Sequence, residues 1–462
     1  MTAWRPIPAN RGLDNLTHAL IGLAIGEAAA RLKQGSADRD GENGPRRAGT
    51  GGAGKSGPPP VGHIGPAHAA HSGLPWDVRR TLFITVAAVG GNLPDLDLLW
   101  SFRFGGRDKL GYLLQHRGYT HTVLGCLALA LLLYLGVELW MRGRRLTPTR
   151  RDRAELAGMA LLGTFLHLAM DALNSYGVHP FWPVRNDWLY GDSVFILEPL
   201  YWVAVAPLLF VVRSLYAKVI LTTVLVAAVV VSVLASGGHS GWPVALGILI
   251  ALLLWLGRSA PARTTALASA ALMVCVTGTF VIAGRTAAAD IEAIATEHFP
   301  SERLLDHVLT PSPTNPFCWD VLLLETDGDR YSVRHGVLAN APRLITAEQC
   351  PDVTASTRIT APLHAVSAPD SVEIRWLGEF SMTRQHLATL ARSYCEAAQL
   401  LQFARAPFAA QIGGGWVIGD LRFDREPQLG MSELALGGDR DPRQCSSSVP
   451  WIPPRADLLR DP

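Results

Sequence analysis

Apolar residues fall in long unbroken runs through the first two thirds of the chain, at 81–100, 121–141, 154–173, 194–212, 217–236, 241–257 and 264–284. Each is close to the roughly 20 residues with which a helix crosses about 30 Å of hydrocarbon, so the pattern predicts about seven membrane spans. The stretch 15–32, NLTHALIGLAIGEAAARL, is apolar over a shorter length, near 22 Å as a helix. It reads as a helix that dips into the bilayer or, with Arg5 and Arg11 before it and Ala28 and Ala30 behind, as a signal peptide. From 33 to 75 the residues turn to Gly, Pro, Arg and small side chains, which bury too little apolar area to offset chain entropy, so a disordered linker is expected. His63, His68 and His71 at its end read as solvated.

After residue 285 the period changes. WDVLLLET, the Asp327-Gly328 turn signal and RYSVRHGVL predict a β-hairpin. SVEIRWLGEF and GWVIGDLRF predict further strands around a helical stretch near 384–400. The expected fold is therefore mostly α: a polytopic transmembrane helical bundle followed by a soluble α+β C-terminal domain. Its parts are an N-terminal apolar helix (1–32), the linker (33–75), a membrane-embedded core (76–200), additional transmembrane helices (201–285) and the soluble domain (286–462).

Charge adds orientation and little else. The 41 basic and 39 acidic residues nearly cancel and no run resembles a nucleic-acid arm, so nucleic-acid binding is not indicated. Basic residues gather in the loop 142–153, with Arg79, Arg80, Arg213, Lys218, Arg258 and Arg263 at the borders of other spans, which assigns those ends to the cytoplasm. Alternation then places 101–120, 174–193 and the tail outside, against which Arg103, Arg107, Lys109 and Arg117 count. Cys126 and Cys275 lie in apolar runs, whereas Cys318, Cys350, Cys395 and Cys445 all lie in the tail. Four cysteines there permit two disulfides, which fits an oxidising compartment, or stay as core thiols; they are too widely spaced for a zinc ribbon.

Against this apolar background four segments concentrate the chemistry: NLTH with His18, NLPDLD with Asp95 and Asp97, HRGYTH with His116, Arg117 and His121, and HLAMD with His167 and Asp171. Ionisable groups beside membrane helices need a partner, a cavity or a metal. His167 and Asp171, spaced i, i+4, share a helix face and suit two ligands of one site. Asp95 and Asp97 end one span, His116 and His121 precede the next, and His167 and Asp171 end a third, so all three clusters fall on one side, opposite the Arg-rich loop. His18 joins them if its helix end lies on that side, although Arg5 and Arg11 argue for the other.

Singly these motifs have plainer readings: a core His–Asp pair, a helix terminator, an interfacial anchor. Together they predict a site for zinc first, manganese or iron next, with one ion or with two sharing an aspartate. Two ions at such spacing favour in-line displacement at phosphate esters. Asp97, Arg117 and His179 are the candidate catalytic groups, Arg117 for phosphate or developing charge and His179 as an acid/base in the loop 174–193. Trp182, Trp188 and Tyr190 in that loop read as an interfacial belt.

At DNLTHALIGLAIGEA, NLPDLD, HRGYTHT, HLAMDALNSYG and GDSVFILEP the chain resembles the YdjM-like family of membrane-bound predicted metal-dependent hydrolases, over most of 14–200. The tail segment PTNPFCWDVLLLET resembles the soluble end of longer members. That resemblance marks the same His18, Asp95, Asp97, His116, His121, His167 and Asp171. Through the family's distant similarity to zinc-dependent phospholipase C and the S1/P1 nucleases it implies phosphoester hydrolysis, of a small molecule or a lipid. Departures are the 13 residues ahead of DNLTH and the long linker. A transporter or metal-handling protein using the same cluster, and a non-catalytic protein stapled by its metal, are the alternatives.

Overall fold

The computed structural model describes residues 13–42, 73–99, 109–235, 241–352, 361–424, 429–437 and 449–460. Most of the expected linker, with His63, His68 and His71, lies outside the described residues, as do Arg5, Arg11, Arg103, Arg107 and Cys445. Helix α1 (Leu13–Glu42) continues ten residues into the stretch read as linker.

Three helices build the floor of the site: α1, α2 (Trp76–Gly90) and α5 (Arg150–Asp171), the last reached through α3 (Lys109–Gln115) and α4 (Val123–Gly143). Glycines set how closely they approach, as small residues do between membrane helices. A Cβ on Gly22 of α1 would lie 2.6 Å from the Cα of Ala88 in α2, and one on Gly163 of α5 would lie 2.8 Å from the carbonyl oxygen of Ala87. At the far end from the site these helices and α4 are tied by ion pairs: Arg80 reaches the buried Glu27 at 2.8 Å, Arg79 pairs with Glu155, and Arg153 meets Glu138 of α4 at 3.2 Å.

Among the described residues, four helices are long and apolar enough to cross a membrane: α4, α7 (Leu215–Ala235), α8 (Gly241–Ser259) and α9 (Ala262–His298). Leu124, Leu131, Leu132 and Leu139 stand exposed along α4, which in water would be a costly surface and in lipid is a wall. Of the about seven expected spans, the runs 121–141, 217–236, 241–257 and 264–284 correspond to these helices and the other three do not. The run 81–100 ends as a helix at Gly90 after 15 residues, and α5 carries the buried Asp152, Thr164, His167 and Asp171. The run 194–212 folds as a short helix α6 (Pro199–Ala204) and a 3-10 turn (Ala206–Phe210), each with a proline in its first turn, where the missing N–H is tolerated.

Helix α9, 37 residues and about 55 Å long, runs out of the apolar bundle and carries the tail. Its Ala287, Ile291 and Ile294 pack on one face of an antiparallel sheet, β1 (Arg303–Ser312), β2 (Asn315–Thr326), β3 (Arg330–Ala339) and β4 (Ile374–Thr383), in that order. Strand period decides the two faces. Val321 and Leu323 meet α9, while Leu322 and Leu324 point into a second core. That core is closed by α10 (Arg384–Ser393), α11 (Cys395–Leu400) and a smaller sheet of β5 (Pro407–Ile412), β6 (Gly415–Asp420) and β7 (Glu433–Leu436), with the short α12 (Ala456–Leu459) at its edge. The expected hairpin is β2–β3, turned at Asp327, whose carboxylate accepts from the backbone of Asp329 and Arg330. Cys318 and Cys350 form a disulfide and Cys395 is disulfide-bonded, whereas Cys126 and Cys275 are free thiols.

The second core does not stop at the tail. Leu110, Leu113 and Leu114 of α3 and Tyr176 of the loop after α5 belong to it, beside Phe403, Val449 and Trp451. The soluble domain therefore packs directly on the roof of the site.

Candidate metal centre

Helix α2 ends at Gly90, and a 3-10 turn (Pro94–Leu96) led by Pro94 turns Asp95 inward. A second 3-10 turn (Tyr119–His121) precedes α4 and carries His121, while His167 and Asp171 lie one turn apart at the end of α5. His18 faces them from α1, its ring 4.0 Å from that of His167 and its Nε2 3.6 Å from Asp171. The structure thus brings together all seven expected ligands, none more than 9% exposed.

Among the described residues, two groups have the geometry to hold a cation, and they share one residue. Asp95, His121, His167 and Asp171 form the first, and Asp95, Asp97 and His116 the second; within each, the ligand atoms lie within 4.8 Å of one another. His121 Nε2 lies 3.3 Å from Asp95 and 3.1 Å from Asp171, and His167 Nε2 lies 3.4 Å from the same two carboxylates. The His167 Nδ1 is 2.7 Å from the carbonyl oxygen of Gly91. A carbonyl only accepts, so Nδ1 carries the proton and Nε2 offers its lone pair to the cluster, the outer-shell arrangement of a metal-binding histidine. Opposed imidazole nitrogens, His121 Nε2 and His167 Nε2 at 3.1 Å, between the carboxylates of Asp95 and Asp171 are a donor set that fits a divalent cation.

The supporting contacts are as ordered as the ligands. Asp97 accepts from the backbone N–H of Arg117 at 2.9 Å and the Thr120 hydroxyl at 3.0 Å, and faces His116 Nδ1 at 3.1 Å. Arg117, 1% exposed, donates to Asp171 Oδ1 and to Asn174 Oδ1, each at 2.9 Å. Its guanidinium lies 4.6 Å from the centre of the Tyr176 ring. Arg117 is placed behind a ligand, fixing Asp171. Asn174, three residues beyond Asp171, was not singled out from sequence, although its place on the same helix end was a signal.

His179 stands apart from both groups. It lies between the rings of Trp451, 4.1 Å away, and Trp188, 4.8 Å away. Neither ring nitrogen has a hydrogen-bond partner among the described residues. Burial first, then the charge of His121, pushes it down to about 3, so it is neutral at physiological pH. Trp182 and Trp188, expected as a membrane belt, turn to the tail: Trp188 donates to the carbonyl of Ile452, and Trp182 lies edge-on to Trp451.

The cluster joins the end of α2, the turn before α4 and the end of α5 inside an apolar helical bundle. Residues 59–240 match the model of the YdjM inner membrane protein family. No curated protein and no solved structure matches the chain. The YdjM match holds every residue of the cluster except His18, together with Arg117, Asn174, Tyr176 and His179. The tail that roofs the site lies beyond it, and its contacts with the YdjM region were invisible in the sequence. Arg405 grips Asp192 through two bonds of 2.8 Å, and Arg422 donates to the backbone carbonyls of Ser175 at 2.7 Å and Tyr176 at 3.2 Å.

Proposed function

We propose that the protein is a membrane-bound, metal-dependent hydrolase that cleaves phosphoesters of small molecules or lipids with metal-activated water. The observation that carries this reading is Asp95, common to two adjoining ligand groups, so that this one carboxylate would serve both sites if a pair of ions were held. Asp95, His121, His167 and Asp171 would hold one ion and Asp95, Asp97 and His116 the other, with His18 against Asp171. Mixed imidazole and carboxylate donors without thiolate suit zinc first and manganese or iron next. When bound, such ions supply Lewis acidity, making water nucleophilic near neutral pH and offsetting charge on the phosphoryl oxygens.

The chain's own groups orient and exclude. Asp97 fixes His116 and His121, and within reach of the site it is the carboxylate that can take a proton from attacking water. Arg117 holds Asp171 in place, and its positive charge adds to the field at the phosphate. His179, kept neutral by burial between Trp188 and Trp451, stands apart from the ligand groups and serves to wall the site from water. In the net reaction water bonds to phosphorus, one ester P–O bond breaks, and the departing oxygen gains a proton. Disulfide bonding in the tail supports an extracytoplasmic side for tail and site, since such bonds persist in oxidising compartments.

The alternatives differ in what they need. Transport sites lie near the membrane midplane on broken helices, whereas these ligands gather at helix ends. Full burial of His121 and His167 favours a structural staple instead, and the experiment separates the two. Metal content of detergent-purified protein is measured by elemental analysis for wild type, Asp171→Ala and the exposed Arg142→Ala, followed by a panel of phosphomonoesters, phosphodiesters and phospholipids. We expect more than one equivalent of metal in wild type and Arg142→Ala, loss in Asp171→Ala, and hydrolysis that tracks metal. A metal-loaded protein that leaves the whole panel untouched would overturn the enzyme in favour of the staple.

A further inference from the structure

Tyr176 is the best-held side chain of the roof and carries the group least accounted for. It follows Asp171 by five residues. Its backbone N–H donates to Asn174 Oδ1 at 3.0 Å, and its carbonyl accepts from Arg422. Its ring is enclosed on three sides: the guanidinium of Arg117 over one face, His116 edge-on at 5.7 Å, and Phe403 and Phe423 of the tail at 5.0 and 5.8 Å. Ring and backbone are thus clamped by both halves of the molecule, and the residue is 5% exposed.

The hydroxyl at the end of this clamped ring has no hydrogen-bond partner among the described residues. Buried hydroxyls are nearly always partnered, and leaving one unpartnered costs free energy, so each exception asks for a reason. A phenylalanine would fill the same apolar surroundings without that cost. His116, a member of the second ligand group, lies against the ring at 5.7 Å, which puts the phenol beside the Asp97–His116 end of the cluster. A rigid donor aimed at a place where charge develops is what stabilises an anionic group in a water-poor site.

We propose that the Tyr176 hydroxyl donates a hydrogen bond to the phosphoryl group of the substrate at the Asp97–His116 end of the cluster, an assignment that rests on the phosphoester reading above. Tyr190, in the same loop, serves as the internal control: its hydroxyl is also buried and unpartnered, but its ring lies over Arg405 in the tail, 4.0 Å away.

The test uses full-length, metal-loaded protein in detergent, with inorganic phosphate as the probe and calorimetry as the readout. Tyr176→Phe and Tyr190→Phe both retain the ring, so both are expected to keep wild-type metal content and an unchanged or raised melting temperature. Phosphate should bind Tyr176→Phe roughly tenfold more weakly, the scale of one hydrogen bond to a charged acceptor, and Tyr190→Phe within about twofold of wild type. Equal phosphate affinity in Tyr176→Phe and wild type would overturn the assignment and leave the hydrolase reading intact. Metal-loaded wild type that binds no phosphate would overturn the phosphoester reading and this assignment with it.

Discussion

Arg117 has a backbone φ of +59°, a left-handed conformation that a long side chain seldom adopts and that is kept where the surroundings over-determine it. Here they do: the same residue offers its N–H to Asp97 and its guanidinium to Asp171, so one backbone twist orients a carboxylate in each ligand group. Replacing Arg117 with Met should therefore weaken metal binding about 10- to 100-fold, as losses behind a metal ligand do, measured by competition with a chelator of known affinity. Unchanged affinity would mean that Asp171 needs no orienting partner. At this scale the sequence was most legible. His167 and Asp171 announced themselves by spacing, and Asp95, Asp97, His116 and His121 by being polar at the ends of apolar runs. Tyr176 and Asn174 lie within the HLAMDALNSYG motif but carried no role there, because a tyrosine and an asparagine after a helix have many ordinary uses and only their contacts single them out.

At Gly22 helix α1 comes directly against the backbone of α2, and this gives a prediction that separates packing from propensity. Gly22→Leu would force α1 off Ala88, costing about 1–3 kcal/mol as overpacking does. Gly136→Ala, in α4 with nothing within 4 Å of its new methyl, should gain up to about 1 kcal/mol from reduced backbone entropy. Opposite shifts in melting temperature in detergent are expected. Loss of stability in both would place Gly136 against a neighbour it does not touch here. Periodicity identified the elements of the tail well, since β2, β3, β4 and β6 fall on the strands it predicts. Length alone misjudged the membrane: 194–212 has a span's hydropathy, but Pro199 and Pro207 break it, and the buried Glu198 accepts from the backbone of Leu200 and Thr314. Apolarity measures burial in lipid or in protein equally, so the runs that pack inside the bundle looked like those that face lipid.

In the whole molecule, long-range ion pairs bind strand to strand and tail to roof. Arg334 of β3 gathers Glu302, Glu325 and Glu379, and burial, opposed by Arg334, pushes the Glu325 carboxyl up to about 7. The sign follows from linkage. The folded chain holds this proton more tightly than the unfolded one, so the contribution is full below about pH 4.5 and is lost as pH rises through 7. Melting temperature should therefore fall between pH 5 and 8 more steeply in wild type than in Glu325→Gln, as followed by differential scanning fluorimetry; parallel curves would assign the pH dependence to other groups. None of this was legible from sequence, because pairs such as Arg405 with Asp192 join residues 213 positions apart and leave no local pattern. The loop 174–193 answers to two masters, bound below to Asp171 through Asn174 and Arg117 and above to Arg405 and Arg422. In descent, such a loop is inherited with its partner: a grafted tail would need the donor's loop as well, and substitutions at Asp192 or Tyr190 should find their compensations in the tail.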